Sequence, residues 1–102
     1  MQPILIRLLC NDDNQASQII KLLLEQDLIA SAQKSSVQSY YHINNSVQYK
    51  PEIKLEMLSV SNRFKAIEQI IIENHSYNTP SLTAILIDKN NTSLLDWIRE
   101  SL

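Results

Sequence analysis

Glycine is missing from all 102 residues of this chain, and that single absence removes several functions at once. A Walker-type phosphate loop or a dinucleotide fingerprint needs glycine so that backbone amides can approach phosphate at positive φ. Neither can be built here. The anion-gathering loop of an acylphosphatase-like enzyme, another chemistry housed on small α+β folds, is excluded on the same ground. Cysteine is scarce too. Cys10 stands alone, so no intrachain disulfide forms and a secreted disulfide framework is ruled out, which favours a reducing compartment and a cytoplasmic location.

Excess charge is also lacking. Nine Lys and Arg against eleven Asp and Glu leave a formal charge of -2, so there is no basic footprint for a phosphate backbone and no nucleic-acid partner is expected. Long apolar runs are absent, none approaching the roughly 20 residues that cross a bilayer, and no membrane partner is expected. The segment Met1 to Leu9 is interrupted by Arg7 and has neither a basic leader nor a small-residue cleavage site, so it is read as a first strand rather than a signal peptide. No Ser-His-Asp or Cys-His spacing supplies a nucleophile with an activating base, so the chain is expected to be non-enzymatic and to need no cofactor.

What is present describes one domain over residues 1-102. Ile4, Leu5, Ile6, Leu8 and Leu9 form a nearly continuous apolar run suited to a central strand. Asp12, followed three residues later by Gln15, fits a capping box for a helix over about 12 to 27, in which Ala16, Ile19, Ile20 and Leu23 recur at helical spacing. From Ile29 to Tyr41 the residues favour a strand, and Asn44-Asn45-Ser46 makes a turn that tolerates left-handed φ without glycine. Ile53, Leu55 and Met57 alternate with Lys54 and Glu56 in the returning arm, where Pro51 predicts an edge position or a bulge.

Ser61 or Asn62 opens a second helix whose stripe is Phe64, Ile67, Ile70 and Ile71, with Asn74-His75 at its end. Leu82 to Ile87 gives a fourth strand, and Ser93 to Glu100 a short last helix. The order β-α-β-β-α-β plus a terminal helix predicts an α+β, ferredoxin-like split β-α-β fold with a long β2-β3 hairpin.

His75-Ser76-Tyr77-Asn78-Thr79-Pro80 and, further on, Leu95-Asp96-Trp97-Ile98 resemble the His-Pro-Tyr-x-x-Pro and Leu-Asp-Trp-Leu signatures of the CutA family, the divalent-cation tolerance proteins. Leu24 to Ser31 is similar to that family's Val-Glu-Glu-Arg-Leu-Ala-Ala-Cys stretch, and Ser36 to Tyr41 to its Gly-Val-x-Ser-x-Tyr. Together the matches run from Pro3 to Leu102 in one register. The resemblance implies a compact homotrimer in which hairpins and terminal segments extend the sheets between protomers. A PII-like signalling trimer, binding a small molecule between subunits, is the alternative on the same architecture.

Family members that bind copper carry a Cys near the end of the first strand, a His beside the motif His and a Glu just after the motif Pro. The matching positions here are Leu8, Asn74 and Ser81, poor copper donors all three. No metal site is therefore assigned, and His75 and Cys10 remain the weak candidates for a divalent ion. His75 is open to three roles: ligating a metal, hydrogen-bonding a ligand, or closing the second helix, the last being favoured. Tyr41, beside His42 on the hairpin, fits either a cross-strand surface pair or a ligand-facing cluster at a subunit boundary. Tyr77, Pro80, Asp96 and Trp97 carry over as family markers. Trp97 is expected to pack the last helix on the core or on a neighbour, Pro80 to start the fourth strand, and Asp96 to pair with Arg99 or accept a backbone hydrogen bond. Asp12 and Asp13 are read as capping rather than as a cation site.

Overall fold

A computed structural model describes residues 1–102. Its elements are β1 (Pro3–Cys10), α1 (Asp13–Glu25), β2 (Ser31–Ile43), β3 (Ser46–Val60), α2 (Phe64–Asn74), β4 (Leu82–Leu86) and α3 (Thr92–Glu100). The four strands form one antiparallel sheet in the order β2-β3-β1-β4. This is the split β-α-β arrangement expected from the element order, with its long hairpin and terminal helix.

Alternation along the central strands separates two faces of the sheet. Ile4, Ile6, Leu8 and Cys10 of β1 are buried, as are their β3 neighbours Leu55 and Met57, and they meet Ala16, Ile19 and Leu23 of α1 and Ile67 and Ile71 of α2 in one core. The opposite face is not covered by α1 or α2, and α3 meets it only at the end where Pro3 and Val60 are buried. On that face Arg7 and Glu56, directly opposite in the β1–β3 register, make an ion pair at 3.1 Å between half-buried Leu5 and Leu9.

Without glycine, left-handed backbone falls to Asp27 at φ 54°, Asn44 at 49° and Asn45 at 66°. Asn44 and Asn45 form a two-residue hairpin turn, and Ser46 already belongs to β3. Asp27 follows the end of α1, where its N–H donates to Leu24 O at 3.1 Å and the Leu28 N–H donates to Leu23 O at 3.0 Å. That pair of bonds is a Schellman closure with aspartate in the place glycine usually takes.

Local expectations are adjusted in four places. Asp12 accepts the Gln15 N–H at 2.9 Å, but the Gln15 side chain accepts from the Ser76 hydroxyl at 3.1 Å, so only half of the capping box forms. The second helix is entered through a single 3₁₀ turn, Ser61–Arg63, and neither Ser61 nor Asn62 caps it. Pro51 sits opposite Gln38 in an unbroken register, so there is no bulge. It lies beyond the last β1–β3 pair, Cys10 with Ile53, where that side of β3 is a free edge. Finally, β4 begins at Leu82, so Pro80 precedes the strand instead of starting it.

Candidate functional site

Strand β4 pairs with β1 only from Ile4 to Leu8, which leaves the last two residues of β1 unpaired on that side. The segment after α2 takes this vacant edge. His75 Nε2 lies 2.8 Å from the Leu9 carbonyl, and the Tyr77 N–H donates to His75 Nδ1 at 3.0 Å. Because Nδ1 accepts, Nε2 must carry the proton and donate, which fixes the neutral ring in one tautomer. Both ring nitrogens are used. His75 thus closes α2, its own N–H reaching Ile71 O at 2.8 Å, and pins the following loop to the sheet.

Held in this way, with its ring 4.8 Å from the imidazole centroid, Tyr77 points its hydroxyl at the hairpin base. There it donates to Glu52 Oε2 at 2.6 Å. Glu52 is only 5 % exposed, an unusual state for a carboxylate. Lys50, two residues away and so on the same face of β3, brings its Nζ to 3.9 Å from the same oxygen. The ammonium stands over the Tyr77 ring at 4.4 Å from its centroid and 5.9 Å from that of Tyr41. With Leu9, Ser39, Thr79 and Ser81 these groups line a cavity of about 500 Å³.

Ionisation follows from the packing. The Tyr77 phenol is raised above its ordinary range, first by burial and then by the hydrogen bond it donates to Glu52, so it stays protonated. Lys50 is raised as well, first by the Tyr77 oxygen beside it; desolvation opposes this, and the charge of Glu52 adds a further, lesser rise. At neutral pH the cavity therefore presents an ammonium and a phenol hydroxyl next to a buried carboxyl group.

His75, Tyr77 and Tyr41, singled out from sequence, are brought to this one place. Asp96 and Trp97 are not. Both lie on α3 and neither lines the cavity. Asp96 is exposed, and Arg99 turns instead to the Met1 carbonyl at 3.3 Å. On α3 it is Ile98 that is fully buried, while Trp97 is 44 % exposed, so the tryptophan does not anchor this helix in its own core. Lys50 and Glu52 escaped the sequence reading. The signal was two opposite charges at a spacing of two around Pro51, which puts both on one side of a strand.

The donors for copper do not assemble. Leu8 is buried in the helix-side core, the Asn74 amide donates to Ile70 O at 2.8 Å, and Ser81 lines the cavity. Cys10 is fully buried, its thiol pushed up to about 11, first by burial and then by the charges of Asp12 and Glu52, so the thiolate that a metal needs is disfavoured. No group of three or more His, Cys, Asp and Glu side chains is placed to share an ion. These residues do not fit a metal at the family position.

His42 is exposed and stands opposite Val47 on the hairpin, the cross-strand surface pair expected. Asp13 bonds Lys34 Nζ at 2.7 Å at the start of α1.

Strand order, α1 and α2 on one face and the protruding hairpin define a small ferredoxin-like α+β protein. Residues 4–101 match the family model described as CutA1 divalent ion tolerance protein, and the chain belongs to that family. It is 29 % identical over 87 residues to the divalent-cation tolerance protein CutA of Archaeoglobus fulgidus, covering 85 % of each chain. Among solved structures, CutA1 from the psychrotrophic bacterium Shewanella sp. SIB1 superposes with a TM-score of 0.93 at 29 % identity, over 98 % of this chain and 94 % of that one. CutA1 from Oryza sativa shares the fold with a TM-score of 0.94 at 20 % identity, over 99 % and 94 %.

Proposed function

We propose that this chain is a non-enzymatic CutA-type protein of divalent-cation tolerance that works as a cytoplasmic homotrimer. The observation that carries the assembly is the apolar surface a lone protomer leaves in water. Tyr40, Val47 and Tyr49 near the hairpin tip are 65–70 % exposed, and Ile85 and Leu86 of edge strand β4 are 46 % and 64 % exposed. These are two different surfaces, one on the hairpin and one on β4. A contact between unlike surfaces, repeated head to tail, makes a ring when its rotation closes, and a ring of three is the assembly that the family resemblance implies. The hairpin supplies the reach, since its strands of 13 and 15 residues far exceed a typical five or six. Seating the hairpin of one protomer along β4 of the next covers two free edges at once.

For the link to metal, the test is growth of a strain lacking the gene at graded copper concentrations. Restoration by the wild-type chain, and its failure with a hairpin variant such as Tyr40→Ser with Tyr49→Ser, supports the reading. Indifference of growth to the gene overturns it.

A second reading, a PII-like trimer that holds a small molecule, is favoured by the cavity between the hairpin base and the Tyr77 loop. Its walls mix aromatic rings with hydroxyls and a charged pair, which is the make-up of a ligand pocket.

A further inference from the structure

We propose that the cavity at the hairpin base binds a free α-amino acid with an apolar side chain, its carboxylate on the Lys50 ammonium and its ammonium on Glu52. This deepens the small-molecule reading above and rests on it.

Glu52 spends only one of its carboxylate oxygens. Tyr77 donates to Oε2, and Lys50 approaches that same atom, while Oε1 has no protein donor. Oε1 is not sealed from solvent, so it is open to accept from a donor that enters the cavity. At 3.9 Å the Lys50 ammonium is beyond hydrogen-bond reach of Glu52, so the pair is loose and can admit a third charged group. Stability does not explain this arrangement. With the Lys50 side chain 36 % exposed, water screens the pair, and at 3.9 Å it contributes about 1 kcal/mol or less to stability.

The ligand class follows from the spacing and the walls. A single carbon separates the ammonium and carboxylate of an α-amino acid, so both can engage groups that sit one beside the other on the same strand face. An amine alone would leave Lys50 unmatched and repelled; a carboxylate alone would be repelled by Glu52. The Tyr77 and Tyr41 rings flank the charged pair, and Leu9 continues the apolar wall. An aliphatic or aromatic side chain suits that surface better than a charged one.

Titration calorimetry at pH 7 on the full chain provides the test, with L-leucine and L-phenylalanine as probes. Two analogues, each lacking one charge, complete the set: 4-methylpentanoate without the ammonium and 3-methylbutylamine without the carboxylate. The expected result is saturable binding of at least one amino acid, with both analogues at least about tenfold weaker, the loss of one charge-assisted hydrogen bond. Glu52→Gln, which keeps an acceptor for Tyr77, should weaken the amino acid about tenfold and leave 4-methylpentanoate no weaker. Lys50→Met should weaken the amino acid similarly and leave 3-methylbutylamine no weaker. Should either analogue bind the wild-type chain as tightly as the amino acids, the ligand class is wrong while the small-molecule reading stands. Absence of binding heat with every probe at two temperatures overturns the amino-acid proposal, and a thermal-shift screen of other small molecules with no stabilising hit would remove the broader reading. The analogue comparison uses only wild-type protein, so it decides the matter even if a variant fails to fold.

Discussion

Tyr77 connects two stretches of chain that have no other reason to meet, the loop after α2 and the base of the hairpin. Its hydroxyl is the only hydrogen-bond donor to a carboxylate that is almost fully buried. Removing it with Tyr77→Phe leaves that charge without a hydrogen-bond donor, and the expected loss is about 1.5 to 3 kcal/mol of unfolding free energy, read by urea denaturation. Cys10 gives a pH-dependent counterpart. Its folded pKa is raised from 9.0 to about 11, so the unfolded chain releases the proton first. The stability linked to this thiol is present below pH 9 and disappears as pH climbs to about 11. Tyr77 and Lys50 are raised too and add to the alkaline loss. The slope of stability against pH in Cys10→Ala, compared with wild type over that interval, isolates the thiol, and a shallower slope in the variant is the expected outcome. Copper titration, on the same grounds of burial and misplaced donors, should show no submicromolar site, and His75→Ala should change nothing. At this scale the sequence was informative wherever a motif fixed local spacing. His75 and Tyr77 stood out because they share a motif. Glu52 did not, because its importance comes from a partner 25 residues away in sequence, and no local pattern announces that pairing.

At the scale of elements, apolar spacing of 3.6 located α1 and α2 and spacing of 2 located β3, since such spacing reflects which side faces a core, while β2 was placed by composition. Ends were harder to place. The start of α2 is set by a 3₁₀ turn without a side-chain cap, and Ser and Asn at positions 61 and 62 look like caps whether or not they act as such, whereas its end at Asn74 and His75 was legible. Glycine's absence now carries a measurable consequence. Asp27 holds a left-handed conformation, φ 54°, at the end of α1. Relieving the Cβ clash there with Asp27→Gly should stabilise the fold by up to about 1 kcal/mol, seen as a higher melting temperature. On α3, burial reverses the ranking that residue size suggests. Ile98 is 0 % exposed and Trp97 44 % exposed. Ile98→Ala should therefore cost about 2 to 5 kcal/mol, as for a large aliphatic residue cut from a core. Trp97→Ala should cost clearly less in the folding of a protomer. A residue of that size left half in water on the terminal helix is suited to a neighbouring subunit, so its truncation should loosen the assembly more than the fold.

Taken as a whole molecule, the protomer is elongated, 45 × 26 × 21 Å, because the hairpin extends past the end of β1. Helices α1 and α2 cover one face of the sheet, α3 only one end of the other, and the exposed apolar side chains gather on the hairpin and along β4. The sequence carried a trace of this in the length of the hairpin arms and the signature resemblance. Which residues would be left uncovered was not legible, because alternation alone marks both Tyr40 and Leu86 as ordinary strand residues. They are uncovered for geometric reasons: nothing in the chain is long enough to reach beyond Cys10, and no helix extends over β4. The central claim is that a ring of three protomers covers these surfaces. Light scattering coupled to size exclusion at micromolar concentration tests it most directly. The account predicts a mass about three times the 11.7 kDa of the chain, falling toward one chain in the Tyr40→Ser, Tyr49→Ser variant. A wild-type mass of one chain would contradict it.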